Sequence, residues 1–416
     1  MRPLAFSPAV IAVLACCRCP GQAPAGSLPA GQAPGTRGDW ILPNGRRITP
    51  EGRRVVLGNF PMGLALSPSG KAAFTVNCGA GRQSVQVIDL ARGVVTQTAP
   101  MHTCFNGIAV SPDGSTLWVA GGGANQLFRF RISDNRLSRE SSLPLSGYPT
   151  GLAVAGNRLY VTLNLGKRLA VVDTTSGRVL ARIETGAYPF AVCARGDIAY
   201  VTNWGDGTVS VIDTARGRSA ATIRTGALPT AILCSSKAGR VYVANANSDT
   251  ISVLDTTRNR VIQTARISPY PGSPQGCIPD GLAISPDEQT LYVALAGTNA
   301  VAAYSTSGLS LRRLYPTAWY PTNLAISSNG ATLYTVSSKG VGSGPNVDGQ
   351  YIGHSIRGVL TETSAGAGRG VDVDSIRRVA ANNGYISRLP RNAGGRPFQA
   401  RATRVGPPIR HVVLIV

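Results

Sequence analysis

Charge is sparse in this 416-residue chain and lopsided: charged residues make up 15%, with 41 Lys plus Arg against 20 Asp plus Glu. Histidine is scarcer still, limited to His102, His354 and His411. A three-histidine metal site would need all of them to converge. They fall in a repeat, an irregular stretch and the C-terminus, so no metal site is expected. No G-x-S-x-G elbow or phosphate-binding glycine loop stands between a strand and a helix; Gly121-Gly122-Gly123 lies between two strands and reads as a turn. These absences leave no catalytic residue and no cofactor to name. No internal run is long and apolar enough to span a bilayer, and no CxxC follows the first twenty residues.

What is present is a repeat of about 40 residues. Its clearest copies run from Tyr188-Pro189 through Tyr200-Val201-Thr202-Asn203 to Val211-Ile212-Asp213, and from Leu228-Pro229 through Tyr242-Val243-Ala244-Asn245 to Val253-Leu254-Asp255. Each unit reads as four short strands. The first is small and apolar, as in Gly107-Ile108-Ala109-Val110 and Gly151-Leu152-Ala153-Val154, which suits a crowded innermost position. The second carries an aromatic and β-branched pair such as Tyr160-Val161, and the third alternates with period two, as in Thr208-Val209-Ser210-Val211-Ile212. Asp89, Asp173, Asp213 and Asp255 close third strands and recur at one repeat position, so they are read as turn residues rather than catalytic acids.

Units begin near Pro61, Asn106, Pro149, Pro189, Pro229, Pro279 and Pro321. This predicts an all-β fold, a seven-bladed β-propeller over residues 40–365, closed by an N-terminal strand near Val55-Val56-Leu57. Either 355–361 or 40–48 can supply the third strand of the last blade. A short helical or irregular tail follows. In it Asp374 is expected to cap a helix that Asn382-Asn383-Gly384 ends, and the Asp372/Asp374 pair is not expected to do acid–base work.

The first 25 residues read as an export leader, and the Pro/Gly/Ala-rich residues 26–39 as a linker. Val13-Leu14-Ala15-Cys16 has the form of a lipoprotein box, with Cys16 lipidated; cleavage behind Ala23-Pro24-Ala25 is the alternative. Either places the protein outside the cytoplasm of a bacterium, secreted, periplasmic or lipid-anchored. Of the later cysteines, Cys78, Cys104, Cys193, Cys234 and Cys277, at least one stays unpaired. Cys78–Cys104 and Cys104–Cys277 are conceivable bridges, and Cys193 and Cys234 are read as buried thiols.

The Tyr-Val-Thr-Asn at 200–203, the Tyr-Val-Ala-Asn at 242–245, the looser Tyr-Val-Thr-Leu-Asn at 160–164 and the Val-Ile-Asp strands resemble the YVTN family of seven-bladed propellers over roughly residues 40–340. Leu42-Pro43-Asn44-Gly45, Thr49-Pro50-Glu51-Gly52 and Ile409-Arg410-His411-Val412-Val413-Leu414-Ile415-Val416 resemble an architecture in which such a propeller precedes an alkaline-phosphatase-superfamily phosphoesterase domain. On that resemblance, 366–409 is a linker with a short helix, and 410–416 is the first strand of a missing domain. The acidic motif expected after that strand is absent, so no phosphatase residue carries over.

Loops before inner strands and after second strands should open on one face. That mouth would gather Tyr148, Tyr188, Asn203, Trp204, Asn245, Trp319 and Tyr320, aromatic and amide groups suited to a small polar ligand, a cell-wall component or a protein. The expectation is therefore a non-catalytic binding module. The net charge of +21 allows a polyanion or nucleic-acid partner. A looser resemblance to seven-bladed propellers that hydrolyse sugar lactones allows an enzyme.

Overall fold

Period-two segments of three to nine residues separated by Gly, Asn and Asp turns can bury one face each only by stacking sheet on sheet. In the computed structural model, which describes residues 40–343, 349, 351–366 and 370–385, they form seven four-stranded antiparallel sheets. The export leader with Cys16, the linker at 26–39 and the segment 386–416 lie outside the described residues.

Blades 1 to 6 span 61–100, 108–144, 149–184, 189–224, 229–266 and 279–316, each wound in chain order from the innermost strand outward. Blade 7 takes Trp319–Ile326, Thr332–Gly340 and Val359–Ser364, and its outer strand is Arg53–Val56, with Val55 opposite Leu360. Residues 40–48 form a separate hairpin, Trp40 opposite Ile48, instead of a third blade strand.

The core lies between blades. Tyr200, Val209 and Val211 of blade 4, for example, are buried against Val241 and Val243 of blade 5. Inner strands crowd as their composition suggests: a Cβ on Gly107 would lie 2.0 Å from the Thr150 carbonyl oxygen, and one on Gly151 2.3 Å from that of Phe190. The recurrent aspartates serve turns. Asp213 accepts the Arg216 amide at 2.9 Å and Asp255 the Arg258 amide at 3.0 Å. Register shifts between third and outer strands, as at Val211/Ile212 and Val253/Leu254, break the regularity of the outer edge, which discourages edge-to-edge pairing.

Two expectations are corrected. Asp372, not Asp374, caps the helix Val373–Asn382, its carboxylate accepting the Ser375 amide at 3.0 Å. The helix packs on blade 6, where Ser375 Oγ accepts the Leu314 amide at 3.1 Å. Cys193 and Cys234 are not free thiols but a disulfide with Cα atoms 5.7 Å apart. They lie at or near the ends of the inner strands of adjacent blades, Pro189–Arg195 and Pro229–Cys234, which the ring brings together. Cys78, Cys104 and Cys277 are free, so neither conceivable bridge is formed.

Candidate functional site

The residue before the inner-strand proline adopts the left-handed conformation in six blades: Phe60, Tyr148, Tyr188, Leu228, Ile278 and Tyr320, with φ between 50° and 66°. Large side chains are rare there and pay roughly 1–2 kcal/mol in steric strain. In the first five the geometry turns the carbonyl onto the residue after the second strand: Tyr148 O accepts the Asn164 amide at 3.0 Å, and Tyr188 O the Trp204 amide at 3.0 Å. The two sets of loops thus share one face and form the mouth of a central channel.

Tyr148 is half-buried, edge-on to Phe105 with ring centres 5.5 Å apart; Tyr188 is exposed and edge-on to Trp204 at 6.5 Å. Trp319 and Tyr320 lie together on blade 7 beneath the Lys339 ammonium, which is 5.0 Å and 4.4 Å from their ring centres. Desolvation lowers the Lys339 pKa from its ordinary value.

Asn203 and Asn245 do not face the mouth. Both are fully buried, and their amides donate across to the third strand: Asn203 to Thr208 and Ser210 at 2.9 Å each, Asn245 to Thr250 and Ser252 at 3.0 Å each. The Thr-x-Ser recurring five residues after each Asn was the signal for this internal role.

Two positions further along, past the proline where there is one, each repeat contributes one residue to a second ring: Met62, Asn106, Thr150, Phe190, Thr230, Asp280 and Thr322. All but Thr150 line a cavity of about 220 Å³ on the axis, with Asn323 beside them. Ligand pockets commonly measure about 300–1,000 Å³, so a larger molecule would rest across the mouth with only a small group reaching in. Among the described residues, Asp280 is the only ionisable one of the lining. Burial pushes its carboxyl up to about 7, the nearby Thr230 hydroxyl opposing the shift. Tyr320 is also raised, by its own burial and then by the charge of Asp280. The sequence reading missed Asp280 and Lys339. Aligning the repeats on the residue after the strand-opening proline would have found Asp280, since that column holds one carboxylate.

Among the described residues no three His, Cys, Asp or Glu side chains gather to hold a metal ion, and no helix is long and apolar enough to cross a membrane.

The family model described as the SMP-30/gluconolactonase/LRE-like region matches residues 195–339, a span that includes Asp280, Trp319, Tyr320 and Lys339. No curated protein sequence matches the chain. Among solved structures, the chain is similar to the hydrazine synthase of Kuenenia stuttgartiensis (19% identity, 67% of this chain and 93% of that one, TM-score 0.59). It is also similar to U3-55K (15%, 75% and 99%, 0.61) and to a streptogramin B lyase (14%, 74% and 96%, 0.58). At these identities the likeness is one of fold.

Proposed function

We propose that the protein is a non-catalytic binding module that takes a small polar ligand at the channel mouth, outside the cytoplasm. The observation that carries the reading is the arrangement on blades 6 and 7: Asp280, the only carboxyl of the channel lining among the described residues, beside Tyr320, with Trp319 and Tyr320 carrying the Lys339 ammonium. Aromatic faces with one acid and one base suit a hydroxylated or zwitterionic group. The Cys193–Cys234 disulfide supports an oxidising compartment, and cell fractionation tests that placement. Calorimetric titration of the full chain with sugars, cell-wall fragments and phosphoesters tests the site. Binding that is lost in Trp319→Ala and Asp280→Asn supports it; no binding by any of these classes ends it.

A second reading, lactonase-like hydrolysis, is favoured by the family match over 195–339 and by an acid poised near neutrality, where a general base works best. Proton release from sugar lactones, abolished in Asp280→Asn, is its expected signature. The tie to a phosphoesterase domain rests on the resemblance at 42–45, 49–52 and 409–416, and the genomic sequence beyond codon 416 tests it.

A further inference from the structure

We propose that the outer wall of blades 3 to 5, away from the mouth, binds a phosphodiester polyanion through an array of arginines. Along the sequence the arginines look scattered; the ring aligns them. Arg218 and Arg260 begin the outer strands of blades 4 and 5, in register with Asp213 and Asp255. Arg178 stands at the same position in blade 3, its carbonyl accepting the Asp173 amide at 2.9 Å. Arg224 and Arg266 end the same two strands, in register with Thr208 and Thr250, and Arg182 lies on the outer strand of blade 3.

All six are exposed. Asp213 and Asp255 do not neutralise them, because each pairs with the turn arginine, Arg216 at 2.8 Å and Arg258 at 2.9 Å. The outer strands Arg218–Arg224 and Arg260–Arg266 contain no carboxylate, and the outer strand of blade 3 contains one, Glu184. Arg218 and Arg224 stand about 20 Å apart at strand rise, so the array covers a wall rather than a point.

Six like charges gathered with a single carboxylate, Glu184, on their strands repel one another, and a polyanion relieves that repulsion. The class of partner follows from the side chain. Every cation of the array is a guanidinium, whose planar fork grips a phosphate through two parallel hydrogen bonds. Nucleic acids and poly(glycerol phosphate) wall polymers share that phosphodiester chemistry, and the experiment separates the two sources.

The test is fluorescence anisotropy of the full chain with labelled single-stranded DNA, with poly(glycerol phosphate) and with alginate, which is anionic but has no phosphorus. The fourfold variant Arg218→Gln, Arg224→Gln, Arg260→Gln, Arg266→Gln is compared with a control that removes four exposed positive charges from blades 1 and 2, Lys71→Gln, Arg82→Gln, Arg92→Gln, Arg136→Gln. Four phosphate contacts predict that single-stranded DNA affinity falls about 50-fold from 50 to 200 mM salt. The wall variant should lose at least tenfold in affinity and the control less than threefold. Binding of DNA alone, or of the glycerol polymer alone, identifies the source; binding of both identifies the shared backbone. Alginate bound as tightly as either, equal losses in the two variants, or a salt-independent signal from the unaltered chain overturns the proposal. The salt series needs no variant, so a fourfold variant that fails to fold still leaves the proposal open to refutation.

Discussion

The ammonium of Lys339 lies 4.4 Å from the ring centre of Tyr320, and no carboxylate among the described residues pairs with it. Tyr320 in turn adjoins the channel that holds Asp280 and is raised in pKa partly by that charge. Blades 6 and 7 therefore bring a base, two aromatic faces and an acid to one side of the mouth.

Asp280 makes stability depend on pH. Its folded pKa, about 7, lies above the ordinary carboxylate value of 3.8. Between those values the folded state keeps a proton that the unfolded state has released, so stability falls as pH rises from about 4 through 7. The full shift is worth about 4 kcal/mol, and water in the channel reduces this to about 1–3 kcal/mol. Urea midpoints at pH 4.5, 6 and 8 should decline for the unaltered protein more than for Asp280→Asn, which should be the more stable of the two at pH 8.

Tyr188 separates strain from contact. Its ring touches Trp204 at 6.5 Å, while its backbone sits at φ 53°. Tyr188→Ala loses the ring and keeps the strain; Tyr188→Gly loses both. The glycine variant should therefore be the more stable by about 1 kcal/mol, read as a shift in urea midpoint at unchanged slope. The opposite order would show that the left-handed turn is not strained.

The Cys193–Cys234 bridge closes a loop with a sequence separation of 41. Chain-entropy reasoning gives it about 4 kcal/mol, with measured bridges commonly at about 2–4 kcal/mol. Reductant, or Cys193→Ser with Cys234→Ser, should lower unfolding stability by that amount. Mass spectrometry of the alkylated protein should find three of the five propeller cysteines modified without reduction.

Gly107 tests the crowding of the axis. A Cβ there would stand 2.0 Å from the Thr150 carbonyl oxygen, a backbone atom that cannot swing aside. Gly107→Ala should cost about 2–4 kcal/mol, whereas Gly156→Ala, in an open turn at φ 58°, should cost about 1 kcal/mol from backbone strain alone. Thermal unfolding of the two variants compares them directly.

Fold and site were legible in the sequence to different degrees. Strand periodicity, the glycines of the inner strands and the turn aspartates each report local chemistry. Repetition made them readable, because one accidental residue does not recur at one position in several copies. Asp213 and Asp255 could be read as turn residues on that basis. Asn203 and Asn245 were misread because exposure was inferred from a place after a strand. Their partners, the third-strand hydroxyls, lie only five and seven residues on, yet they face these amides only once the sheet pairs.

The sequence by itself determined that seven similar units would each form a four-stranded sheet, since alternation, turn residues and small inner strands are properties of short segments. Only the tertiary structure decided which single residues meet. Cys193 reaches Cys234, Asp280 is the one carboxyl among the described residues of a lining contributed by all seven blades, and the outer strands of blades 3 to 5, a repeat apart in sequence, come side by side. The physical reason is that closing a ring turns a separation of one repeat into side-by-side contact. It also sinks Asp280 into a narrow channel, where protein replaces much of the solvation that would have kept the carboxyl ordinary.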